Sequence, residues 1–133
     1  MKSYLFYILL TCLVAGCGKS GGGGNTPTPE ASLVFTTNPD PGNNIFAALS
    51  SSQDIAVSIT STLPAAGVTV DIVVTKDLDN STVFSQSLTN TVPNFTVAIQ
   101  NLTSGVVCTA VITVTSKSTS SNKASKSFKI AKK

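Results

Sequence analysis

From Val106 to Val114 the chain alternates without a break, with Val106, Cys108, Ala110, Ile112 and Val114 taking every second position. A two-residue period is that of a β-strand; an apolar helix face would need spacings of three and four. The same period recurs along most of the chain. Leu33 and Phe35 alternate with Val34 and Thr36, and Ile55, Val57 and Ile59 with Ala56, Ser58 and Thr60. Val68, Val70, Ile72 and Val74 alternate with Thr69, Asp71, Val73 and Thr75. Thr82 to Leu88 with Phe84 as anchor, Asn94 to Ile99, and Ala124 to Ile130 with Phe128 complete the set, while Ile45 to Leu49 reads as a short segment rejoining a sheet. No window shows helical spacing, so the expectation is all-β: seven antiparallel strands in two layers.

Turn chemistry separates the strands. Asn38-Pro39-Asp40-Pro41-Gly42-Asn43-Asn44, Leu63-Pro64-Ala65-Ala66-Gly67 and Asp77-Leu78-Asp79-Asn80 each combine residues that favour turns or exclude a ladder bond. Leu102, a turn containing Gly105 and the alternating strand behind it resemble the corner before the F strand of fibronectin type III and other immunoglobulin-like domains. In that family a Tyr commonly stands where Cys108 stands here, its hydroxyl bonding back to the corner. The resemblance implies an immunoglobulin-like sandwich over residues 30–133, about the size of one such domain. An OB-like barrel or a jelly roll also accommodates this strand inventory.

The N-terminus reads differently. Met1-Lys2 is a minimal basic region, Tyr4 to Val14 is almost unbroken apolar sequence, and small residues follow, as in a secretory signal. The run is too short to span a bilayer comfortably. Val14-Ala15-Gly16-Cys17 resembles the lipobox of bacterial lipoproteins. That resemblance implies cleavage after Gly16, so that residues 1–16 are a signal peptide, and lipidation of Cys17. It places the chain on a bacterial envelope membrane, and Gly18, where an Asp often marks inner-membrane retention, points to the outer membrane. Residues 17–29, with glycines at 21 to 24 and prolines at 27 and 29, then form a tether. Its segment 18–29 reaches ~20 Å as a coil and at most ~40 Å extended.

Cys12 leaves with the signal on this reading and Cys17 is acylated, so Cys108 stands alone with no internal disulfide partner. Its neighbours favour a buried apolar role, with a bridge between molecules the alternative. Nine lysines face six acids, and no acid follows Asp79, whereas Lys117, Lys123, Lys126, Lys129, Lys132 and Lys133 crowd the end. Without arginine or interleaved aromatics this pattern argues against nucleic acid and for an edge strand guarded by lysines. Contact with anionic lipid is the lesser alternative.

Chemistry finds few residues. There is no His, hence no ordinary general base near neutral pH and no His-containing metal site. Glu30, Asp40, Asp54, Asp71, Asp77 and Asp79 are scattered, with Asp77 and Asp79 read as a solvated turn. The expectation is therefore no catalytic residue, no metal and no cofactor. The tripeptide Asn80-Ser81-Thr82 and two similar triplets match a glycosylation sequon, which the bacterial origin implied by the lipobox discounts. Sugar stacking needs an exposed ring; Trp is absent, Tyr4 and Tyr7 leave with the signal, and Phe35, Phe84, Phe95 and Phe128 sit on core patterns, which leaves Phe46. The reading that results is an anchored, non-catalytic domain that contacts a protein partner or supports an envelope assembly, with a carbohydrate-binding module as the alternative. The loops at Pro39 to Asn44, Leu63 to Gly67 and Lys117 to Lys123 are its candidate contact surfaces.

Overall fold

A computed structural model describes residues 28–133; the signal segment, Cys17 and most of the tether lie outside the described residues. Eight strands follow one another: β1 (Phe35–Asn38), β2 (Ile45–Ala48), β3 (Gln53–Ile59), β4 (Val68–Lys76), β5 (Thr82–Asn90), β6 (Asn94–Ile99), β7 (Val107–Ser116) and β8 (Lys123–Lys132). They form a three-stranded sheet ordered β1-β3-β6 and a five-stranded sheet ordered β2-β8-β7-β4-β5. The expected count of seven antiparallel strands is thereby corrected to eight, and one pairing, β2 with β8, is parallel.

The extra strand has a local cause. β1 pairs antiparallel with β3 as far as Asn38, opposite Ala56. Pro39 and Pro41 then supply no N–H to continue that ladder, and Gly42, at φ 59, turns the chain. The chain crosses to the other sheet without reversing, so Ile45 to Ala48 line up beside Lys129 to Lys132 in the same direction. The lysine-rich last strand is consequently no edge along that stretch. It is paired with β7 from Lys123 to Ala131 and with β2 over its last four residues, which leaves the β2-facing side of Lys123 to Phe128 open.

The alternating residues point where their period requires. Val68, Val70, Ile72 and Val74 of β4 and Ala110, Ile112 and Val114 of β7 are fully buried. They share one core cluster with Ile55, Val57 and Ile59 of β3 and Val97 and Ile99 of β6, so the two sheets bury a common interior in a sandwich-like arrangement. Ile72 and Ile112 are register partners at its centre. Phe128 and Ile130 close one side, whereas Phe84 and Phe95 are only partly buried on the other. Gly67 is needed where it stands: its φ is 79 and an added Cβ would press on the Asn90 carbonyl oxygen. Its N–H donates to Pro64 O at 2.8 Å, and its own carbonyl accepts from Lys117 N at 3.1 Å, tying the β3–β4 turn to the end of β7.

Candidate functional site

The strand directions sort the loops between two ends. One end gathers Glu30 to Leu33, Thr60 to Gly67, Thr91 to Pro93 and Lys117 to Asn122, because β3, β5 and β7 finish there and β4, β6 and β8 begin there. The other gathers Leu49 to Ser52, Asp77 to Ser81 and Asn101 to Val106. Of the three expected contact loops, Leu63–Gly67 and Lys117–Lys123 come together at the first end. Pro39–Asn44 does not; it crosses the side of the molecule between the sheets.

Asn122 organises the first end. Its Nδ2 donates to Glu30 Oε2 at 3.1 Å and to Ala31 O at 3.0 Å, and its Oδ1 accepts from Leu33 N at 2.9 Å. One side chain thus fastens the chain leading into β1 to the loop before β8, and the Asn122 bond holds the Glu30 carboxyl below its usual range. Sequence reading passed over Asn122 as one polar loop residue among many, since nothing local links it to a stretch about ninety positions away.

On the outer sheet face beside the other end, Asp77, Thr109 and Lys129 converge from three elements. Lys129 Nζ donates to Asp77 Oδ2 at 2.7 Å and to Thr109 Oγ1 at 2.8 Å, and Thr109 Oγ1 donates to Asp77 Oδ1 at 2.6 Å. Asp77 is therefore not the freely solvated turn residue that its position two before Asp79 led us to expect; Asp79 is, bonding only its own turn through Ser81 N and Oγ. The Lys129 ammonium beside Asp77 holds that carboxyl below the ordinary aspartate range, with Thr109 adding to the effect. As chemistry the cluster is a clasp: the ammonium donates to the hydroxyl and offers no lone pair to take its proton. A second exposed pair, Lys126 Nζ with Asp40 Oδ2 at 2.8 Å, pins the crossing loop to β8. It also lowers the Asp40 carboxyl.

These depressed carboxyls set a pH response. Each contributes stability that is complete above its unfolded value, near 3.8 for the aspartates, and is lost as pH falls through the lower folded value. The melting temperature is therefore expected to be level from about pH 5 to 8 and to fall below about pH 4. In Asp77→Asn that acid decline should be shallower; thermal melts across this range check it, and a decline beginning near neutrality would contradict it.

Cys108 is 1 % exposed on the inward side of β7, and burial pushes its thiol up. Its Sγ reaches only Val106 O, at 4.0 Å. Phe46, the ring left over for sugar stacking, is partly buried and packs against the core, which corrects its expected exposure. Asp54 and Asp71 lie on β3 and β4, in different sheets. Among the described residues no three His, Cys, Asp or Glu side chains converge as metal ligands would.

Among the described residues the most exposed large apolar side chains are Leu78, at 93 %, and Leu49, at 84 %, both at the end away from Glu30. Leu78 borders a hollow of about 370 Å³ lined by Asp77, Gly105, Val106 and Val107. Compared with protein-family models, with curated proteins and with solved structures, the chain matches none.

Proposed function

We propose that this chain is a lipid-anchored bacterial envelope protein whose immunoglobulin-like sandwich is a non-catalytic module for contact with a protein partner, displayed from the outer membrane. The observation that carries the reading is the N-terminal sequence, in which a basic start, an apolar run and Val14-Ala15-Gly16-Cys17 occur in the order and spacing of a lipoprotein signal. The strand order supports the immunoglobulin-like part. A three-stranded sheet of β1, β3 and β6, in the places of strands A, B and E, faces one in which β8, β7 and β4 follow the order G-F-C, with β5 bonded to β4 as a C′ strand is and the A strand divided into β1 and β2 between the sheets.

The two ends then acquire different meanings. On this reading the tether from Cys17 enters the body at the end where Asn122 fastens Glu30 and Ala31, which makes it the end nearer the point of attachment. The opposite end, with Leu49, Leu78 and the hollow beside it, is presented outward. Apolar side chains left exposed next to a concavity are features that protein interfaces use. A photoreactive residue placed at Leu78 in the full chain in intact cells is expected to give a discrete protein adduct, and one at Ser121 is not. No adduct in several growth conditions, or the same adducts from both positions, would count against the reading.

A further inference from the structure

Among the described residues the outermost strands are β1 and β6 in one sheet and β2 and β5 in the other. Three carry the devices that keep an edge from pairing with another chain. β1 and β2 are four residues long, and β1 runs into Pro39. β2 lies against the lysines of β8, whose own open stretch holds Lys123 and Lys126, the latter clamped to Asp40. β6 is six residues and starts directly after Pro93. β5 is nine residues long and has no proline, no lysine and no charge of either sign.

Its sequence is also symmetric. Around Gln86 the strand reads Phe84-Ser85-Gln86-Ser87-Leu88, so that a two-fold axis through Gln86 sets Ser85 opposite Ser87, Phe84 opposite Leu88 and Gln86 opposite itself. In antiparallel pairing, residues directly opposite are the ones that interact. Every pair made here is of like chemistry: hydroxyl with hydroxyl, aromatic with aliphatic, amide with amide. The faces agree as well. Phe84, Gln86 and Leu88 lie opposite Val74, Ile72 and Val70, all of which point into the core, while Ser85 and Ser87 lie opposite the outward Val73 and Asp71. Phe84 and Leu88 are only partly buried within one chain. Extending the sheet past β5 would place each beside the other's counterpart and cover both.

We infer that β5 is the docking edge for a second copy of this chain, the two β5 strands pairing antiparallel about Gln86 and joining the two five-stranded sheets into one. Each chain has a single β5, so the contact is isologous and closes at two. The inference does not depend on the anchor or on a partner at the Leu78 end.

The register makes it testable with the full chain in mild detergent. Opposite residues of an antiparallel pair have Cα atoms ~4.5–5.5 Å apart, which a disulfide spans. Gln86→Cys is therefore expected to give a covalent dimer on mild oxidation. Ser85→Cys, which faces Ser87 instead of itself, and Ser125→Cys, on the lysine-guarded strand, should form at least about fivefold less. In sedimentation, Gln86→Lys and Gln86→Glu, each of which sets like charges opposite one another, should each weaken the dimer about fivefold or more, and mixing them should restore it. A wild-type chain that stays monomeric at every concentration, equal crosslinking at all three cysteine positions, or a dimer indifferent to both charged variants would overturn the inference.

Discussion

The Cys17→Ser chain is expected to leave the membrane fraction, moving from the envelope pellet to the soluble fraction while its sandwich remains folded. The size of the change follows from hydrocarbon. Each buried methylene contributes ~0.8 kcal/mol, so that two or three acyl chains supply tens of kcal/mol and anchoring is in practice permanent, whereas one short chain holds only marginally. Serine has no thiol to carry the thioether. The apolar run from Tyr4 to Val14 offers no substitute, since at 1.5 Å per residue it falls well short of a ~30 Å hydrocarbon core. Among the described residues no helix is long and apolar enough to cross a membrane. Fractionation after a high-salt wash checks this, and unchanged sedimentation of the variant would contradict it.

Ile112→Ala is expected to be the most damaging single change in the body, lowering stability by about 2–5 kcal/mol. Ile112 is fully buried on the central strand of the five-stranded sheet, opposite Ile72 and within the cluster shared with Ile55 and Val57. Truncation there removes three carbons from the interior between the two layers, and strands held by ladders on each side cannot close over the void. A domain of this size has ~5–15 kcal/mol in total, so the loss should lower the melting temperature by roughly 10–30 °C. Thr113→Ala, on the outer face of the same strand, should stay within about 1 kcal/mol, losing only the 2.7 Å hydroxyl contact with Ser125. Equal effects from the two would mean that the inward and outward faces of β7 had been assigned wrongly.

How much of this could be read beforehand depended on how local each signal was. The inward faces of β3, β4 and β7 were legible because Ile55-x-Val57-x-Ile59 and its counterparts state their period within a few residues, and the hairpin at Asp77 to Asn80 carries its own turn chemistry. β2 was legible only as an apolar fragment. Its partner, the end of β8, lies more than eighty positions away, and parallel pairing leaves no mark in so short a run. The same distance hid the Asn122 clasp and the Asp77–Thr109–Lys129 cluster. Thr109 and Lys129 become neighbours only once the β7–β8 register is set, and Asp77 joins them from a third strand end. The partial burial of Phe46 is hidden for a related reason: on a fragment without clear alternation there is no face to assign, and its packing is decided by a crossing that prolines and Gly42 create.

The inner and outer meanings proposed for the two ends of the sandwich rest on acylation of Cys17. Intact mass of the chain recovered from the envelope measures that directly. The prediction is a polypeptide beginning at Cys17 and carrying the added mass of its acyl groups; a product that begins at any other residue, or an unmodified Cys17, would contradict it.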